Sequence, residues 1–300
     1  MNVAQLHRYP VKSMLGESLD EATVGPNGIA GDRAWAIRAE GSTVTGKKYP
    51  QLMSAQASFV ESPTNERGSA AASITLPDGT CIDTNDDQTP AKLSAWLESD
   101  VSLWPLVSPD NLEFFRRAPA GDISPEQMDA QLRAVFSRLP DEPLPDLATF
   151  PAEVLEFDTP PGTYFDAYPI LLLSEAALHS LSSRASNNFD QRRFRPNILI
   201  KDMTPETTGG TNKDFPENDL AGKRIKIGDV VLSVEMACPR CIMTTHPVAE
   251  LPKDPNIMRQ LVAHNDGNLG VYARIIEGGT MRLGDKLEIL DNQQPQRANS

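Results

Sequence analysis

The sharpest chemical feature of the sequence is Ala-Cys-Pro-Arg-Cys at 237–241, with Cys238 and Cys241 three positions apart. Such a pair has several readings. A redox dithiol prefers a helix N-terminus, which lowers a thiol pKa; Pro239 suits that, but no helical pattern runs from Cys241 through Thr245. Half a zinc site needs further soft ligands, and only His246 stands close, with Cys81 far away in sequence. An inert buried pair is the plain alternative. The remaining reading is one reactive or ligating thiolate, helped by the cation Arg240.

A second feature is a local reversal of charge. The 300-residue chain carries 28 Lys and Arg against 41 Asp and Glu, a net −13. That balance argues against a nucleic-acid partner or an anionic membrane surface. Yet Arg192, Arg193, Arg195 and Lys201 surround Phe-Arg-Pro-Asn at 194–197; Lys12 and Ser13 lie in Tyr-Pro-Val-Lys-Ser, Arg33 in Gly-Asp-Arg-Ala-Trp, and Lys47 and Lys48 form a third basic spot. Arginine forks, lysines and hydroxyls suit phosphate or another small anion; ordinary surface cations read the same way from sequence alone. Glycine-rich nucleotide loops, Gly-x-Ser-x-Gly and His-Glu-x-x-His are missing, and His7, His179, His246 and His264 show no metal-binding spacing. Three cysteines are a poor disulfide framework and too few to ligate a ferredoxin-type cluster, so no iron–sulfur cluster is expected within this chain. With no apolar run of membrane length and no leader pattern in the first residues, a cytoplasmic protein is expected.

The elements that must position these groups read as β-rich. Hairpins are expected at Arg33–Gly46, turning at Glu40-Gly41, and at Ser73–Thr84, turning at Pro77-Asp78-Gly79. Thr89-Pro90 starts a helix expected to bury Leu93, Trp96 and Leu97. Ser124-Pro-Glu-Gln carries a capping-box pattern, and Met128, Leu132, Val135, Phe136 and Leu139 form a helical face expected to pack in the core. Six prolines between 140 and 161 mark a crossing segment with at most one short strand, near Val154–Phe157. Ile170–Leu173 reads as a buried strand, followed by a helix capped by Ser174. Further runs turn at Gly228-Asp229 and Gly284-Asp285, and repeated short hairpins favour a closed or nearly closed barrel. The expected fold class is α+β, a β-barrel with peripheral helices preceded by a smaller barrel-like domain. Its expected divisions are 1–120, a helix and proline-rich linker at 121–161, a second domain at 162–292 and a flexible tail at 293–300.

Taken in order, Tyr9–Ser13, Gly31–Trp35, Leu171–Leu178, Phe194–Asn197, Ile227–Asp229 and Met236–Thr245 resemble one family. It is the molybdenum-cofactor sulfurase C-terminal (MOSC) domain with its N-terminal β-barrel domain, and the pattern is most similar to the mitochondrial amidoxime-reducing component and its bacterial counterparts. The resemblance implies a molybdopterin cofactor between the two units, its molybdenum ligated by the second cysteine of the motif, Cys241. It implies cofactor contacts from Lys12, Ser13, Arg33, Ser174, Arg195 and Asn197; Arg240 and Thr244 stand beside the cysteine as further candidates. The implied activity is reduction of N-hydroxylated compounds such as amidoximes and hydroxylamines. Because no cysteine follows Cys241, electrons are expected from a separate ferredoxin-like or flavoprotein donor. Two departures from the family pattern stand out: His246-Pro247-Val248 replaces an acidic run, and no tryptophan precedes Ile227 in the Asp214–Leu220 interval. The other readings are a non-redox molybdopterin or sulfur carrier using Cys241, and a two-domain interaction protein with a structural cysteine pair. A monomer and a weak dimer are both compatible with the sequence.

Overall fold

The computed structural model describes residues 1–64, 68–117, 121–185 and 189–290. Its largest element is an eight-stranded sheet. In spatial order the strands are Leu287–Leu290, Arg224–Ile227, Val230–Pro239, Asn268–Glu277, Ile170–Ser174, Ile198–Lys201, Asn2–Arg8 and Glu17–Leu19. Only Ile170–Ser174 and Ile198–Lys201 run parallel. The sheet curls until the first strand meets the run into the last. Val3 N donates to Asp285 O at 2.9 Å, Gly284 N to Val3 O at 2.9 Å and Leu287 N to Met1 O at 3.0 Å. Curling satisfies edge amides that an open sheet would leave bare.

Period-two alternation explains the two cores this sheet separates. Ile170 and Leu172 face the barrel interior with Val3, Leu6, Ile198, Ile200 and Leu232. Leu173 and Leu199 face outward, against Ala177 and Leu181 of the helix Glu175–Arg184 and Ile257 and Leu261 of the helix Asn256–Asn265. Strand Asn2–Arg8 alternates imperfectly because its register slips between Val3 and Gln5, as at a bulge.

A third core belongs to the smaller unit, where Trp35–Ala39 pairs Ser42–Thr43 and Ser102–Pro105, and Gln56–Phe59, Ala72–Thr75 and Cys81–Asp83 form a meander. Glu40 and Gly41 turn the first hairpin with φ of 53° and 79°, the pair of positive φ values that a type I′ turn needs. Leu52, Ile74, Ile82, Leu93 and Leu97 fill its interior.

Residues 2–8 and 17–29 pack with the eight-stranded sheet and its core, while 34–101 build the core of the smaller unit. Three expectations are corrected. The segment near Val154 is a helix, Ala152–Glu156, led in by Pro151, not a strand. The Gly284-Asp285 turn joins strands of different sheets, since Gly279–Arg282 pairs Glu21–Gly25 whereas Leu287–Leu290 pairs Arg224–Ile227. The helix Pro125–Phe136 forms with its capping box, but it buries none of its residues in a core. Residues 293–300 lie outside the described residues.

Candidate functional site

The first two sequence motifs, Tyr9–Ser13 and Gly31–Trp35, zip together where the units meet. Lys12 N donates to Trp35 O at 2.8 Å, Trp35 N to Pro10 O at 3.0 Å and Arg33 N to Tyr9 O at 2.7 Å. The buried carboxylate of Asp32 fixes this junction. It accepts from Tyr9 N at 2.8 Å and from Asn197 Nδ2 at 3.0 Å, and pairs with Arg33 Nη1. Asn197 Oδ1 in turn accepts from Leu171 N and from Arg33 Nη1, both at 3.2 Å. Three residues here sit in the left-handed region: Ser13 (φ 70°), Arg33 (φ 49°) and Arg195 (φ 57°). Strain of that kind, about 1 kcal/mol or more each, persists where a fold uses it to aim a side chain.

What these loops enclose is a cavity of about 330 Å³. Seven Lys and Arg side chains line it against two carboxylates, inside a chain of net −13. The Arg33 and Arg195 guanidinium carbons lie 4.6 and 4.3 Å from the Tyr9 ring centroid. Burial, then Arg33, lowers the Arg195 pKa to about 10, and burial pushes the Tyr9 hydroxyl up to about 12. Lys12 Nζ donates to Tyr164 O and Asp166 Oδ1, both at 2.7 Å. Desolvation works against the Asp166 charge, but Lys12, Lys47 and Arg33 outweigh it and hold that carboxyl well below the usual range. Crowded, desolvated cations with few counter-charges make a seat for a polyanion.

The two cysteines have different surroundings. Cys238, at the end of the strand Val230–Pro239, is buried; Arg240 Nη1 donates to its Sγ at 3.0 Å, and burial pushes the thiol pKa up. Cys241 is a free, partly exposed thiol on the cavity wall, at the start of the short 3-10 turn Ile242–Thr245. Thr244 Oγ1 donates to Cys241 O at 3.1 Å, fixing the backbone beside it. Arg240 Nη2 donates to Phe194 O at 2.6 Å, and its buried Nε has no partner among the described residues. Among those residues no three His, Cys, Asp or Glu side chains gather as a cage. The donor set on offer is therefore a single soft thiolate beside a cationic cradle, which fits a metal that brings its own anionic chelate.

Of the expected site residues, Lys12, Ser13, Arg33, Arg195, Asn197, Arg240, Cys241 and Thr244 all line this one cavity. Ser174 does not. Its hydroxyl accepts from Ala177 N at 3.0 Å as the helix cap and donates to Glu217 Oε2 at 2.5 Å. His246 also lies off the cavity lining; its carbonyl takes Arg193 Nη1 at 2.8 Å. Sequence reasoning missed Asp32, Asp166 and Tyr272. Asp32 lay inside a quoted motif, whereas Asp166 and Tyr272 carried no signal because only long-range pairing brings them here. It also missed that the apolar face of Pro125–Phe136 reaches the cavity through Leu132, Val135 and Phe136.

Comparison with known proteins follows the same two-part division. The MOSC domain model matches residues 161–288, and the MOSC N-terminal beta barrel domain model matches residues 1–100. Mitochondrial amidoxime-reducing component 1 of Mus musculus is 27% identical over 310 residues, spanning 96% of this chain and 82% of the relative. The Homo sapiens protein of that name is 29% identical over 320 residues, with 96% and 82% covered. The solved structure of the YUAD protein from Bacillus subtilis is 13% identical with a TM-score of 0.41, covering 96% of this chain and 94% of that one.

Proposed function

Because the chain is a MOSC-domain protein that also carries the MOSC N-terminal β-barrel domain and is homologous to amidoxime-reducing components over most of its length, we propose that it is a molybdenum-cofactor reductase of N-hydroxylated compounds, supplied with electrons by a separate donor protein. One observation carries this reading. A free thiol, Cys241, opens onto the same cavity that concentrates seven cations against two carboxylates in an acidic chain.

Molybdopterin-bound molybdenum, when present, supplies the two-electron oxygen-transfer chemistry. The protein's own contributions follow from the geometry. Arg33, Arg195 and Lys12 would hold the anionic phosphate of the pterin. The Ser13 hydroxyl, which accepts from Gly46 N, would offer its proton to a planar polar ring, while Asn197, whose Nδ2 already donates to Asp32 and to His7 O, would keep Asp32 and Arg33 in place. Cys241 contributes the thiolate ligand, with Thr244 fixing its backbone. Arg240 lines the cavity beside Cys241 and donates Nη1 to the buried Cys238 Sγ, adding a fixed positive charge to the wall that carries the ligand cysteine. Asp166 stays ionised and orients Lys12, keeping that ammonium at the cavity wall. Asp32 holds Arg33 and Asn197 in register, so the cradle is ordered before anything binds.

The direct test is catalytic. Protein purified from a host that makes molybdopterin is supplied with a reduced viologen dye and benzamidoxime. The account expects dye oxidation coupled to benzamidine formation, with Cys241→Ser lowering the rate at least a hundredfold at retained fold. Cofactor-loaded wild type that reduces neither benzamidoxime nor hydroxylamine contradicts it. Labile sulfane sulfur on Cys241, with no metal bound, would assign the chain to sulfur or cofactor delivery instead.

A further inference from the structure

The segment 121–157 is the part of the molecule that folding alone does not explain. It comprises the helix Pro125–Phe136, the 3-10 turn Leu147–Thr149 and the helix Ala152–Glu156, and none of the three buries a single residue. Helices of this length gain most of their stability by burying an apolar face, so another contact must hold them.

Polar clamps at both ends do so. At its far tip, buried Arg138 donates Nη1 to Met258 Sδ and Nη2 to Asp266 O, each at 3.1 Å. Arg259, from the same helix as Met258, reaches Ser137 O and the Glu142 carboxylate. At its root, Arg117 N donates to Glu156 O at 3.2 Å and Asp158 N to Phe115 O at 2.9 Å. The segment is thus a strap, rooted in the smaller unit and pinned at its tip to the helix Asn256–Asn265 of the larger one.

Held this way, the strap lays Leu132, Val135, Phe136, Leu147, Phe150 and Val154 along the cavity that contains Cys241. All six are half-buried. It contributes apolar side chains to the lining and no charge, while every lining cation comes from elsewhere. The cavity therefore has two chemically opposite sides. Its cationic, hydrogen-bonding side suits a phosphorylated polar ring. Its apolar side has no donor to give such a ring and gains only by covering hydrocarbon.

We propose that the strap is the substrate-selecting wall of the site: it takes the aromatic or branched hydrocarbon body of an N-hydroxylated substrate while the N–O group faces Cys241. The chemical class of substrate rests on the reductase reading above; the apolar wall itself does not.

Two arms keep these apart. In the first, titration calorimetry on the full-length purified protein compares benzamidoxime with acetamidoxime, which carries only a methyl group. Wild type is expected to bind benzamidoxime about tenfold tighter, and the double variant Phe136→Ala with Phe150→Ala to lose that preference. The single variant Phe136→Leu, which keeps a hydrocarbon wall, is expected to retain most of it. In the second arm, the benzamidoxime-to-hydroxylamine ratio of kcat/KM falls about tenfold in the double variant. Equal binding of the two amidoximes by wild type overturns the proposal. So does loss of pterin from the double variant at an unchanged melting temperature, because the wall would then serve the cofactor. Selective benzamidoxime binding with no reduction of any substrate leaves the wall standing and removes the reductase reading.

Discussion

Glu217 lies beside the expected site residue Ser174, fully buried and with no cation in contact among the described residues. Its Oε2 accepts from the Ser174 hydroxyl at 2.5 Å, Oε1 has no side-chain partner among those residues, and burial raises its pKa to about 7. The folded state therefore holds this proton more tightly than the unfolded chain does, whose carboxyl titrates near ~4.3. The stabilising contribution is complete below that value and is lost as pH rises through about 7. Glu217→Gln, which keeps an acceptor for Ser174, is expected to gain stability relative to wild type by a few kcal/mol between pH 5 and pH 8. Denaturant titration of both proteins at the two pH values checks it; a difference that does not move with pH removes Glu217 as the titrating group. The same contacts explain the loss of Ser174 from the site. One hydroxyl cannot cap a helix, bond Glu217 and reach a cofactor, and the serine preceding a helix was already a capping signal in the sequence.

Among elements, the strap separates what periodicity reveals from what it hides. Ser124 and Gln127 form their reciprocal capping bonds, and the helix begins where that pattern says. Leu132, Val135 and Phe136 were recognisable as a face. What covers the face was not recognisable, because helical spacing tells which side of a helix is apolar and not what that side meets in the fold. The hairpin at Glu40-Gly41 was legible for the opposite reason: its turn chemistry is local. Residues that meet only through the tertiary fold, such as the loop residues Asp166 and Lys12, or Arg138 and Asp266 just past the ends of two helices, left no trace in spacing. A Cβ built on Gly267, whose φ is +78°, would fall 1.9 Å from Arg138 Nη2. Gly267→Ala and Arg138→Ala are therefore both expected to release the strap tip. Hydrogen exchange should rise at least tenfold in 125–136 while the strands Val230–Pro239 and Asn268–Glu277 stay protected. Uniform loss of protection across the sheet would mean that these contacts hold the whole domain instead.

At the scale of the whole molecule, the cavity lies where the smaller unit, the strap and the curled sheet converge. The N-terminal strand Asn2–Arg8 is built into the larger unit's sheet, and the chain then enters the Tyr9–Ser13 loop, so the cradle is anchored on both units at once. The family resemblance implied one shared site, and the fold brings eight of the nine expected site residues to one cavity. The chain as a whole carries a net charge of −13, opposite in sign to this cationic lining. Among the described residues no helix is long and apolar enough to cross a membrane.

The central claim is that this cavity seats a molybdenum-bearing anionic pterin ligated by Cys241, and metal and pterin analysis tests it most directly. Wild type, Cys241→Ser and Arg195→Ala are purified from a molybdopterin-producing host, and molybdenum and pterin are measured per chain. The account predicts near-stoichiometric amounts of both in wild type. Cys241→Ser should keep pterin while losing or electronically altering the metal. Arg195→Ala, lacking one charged hydrogen-bond donor worth about 2 kcal/mol, should hold pterin roughly thirtyfold more weakly. Folded wild type that carries neither pterin nor molybdenum under cofactor-replete conditions would contradict it.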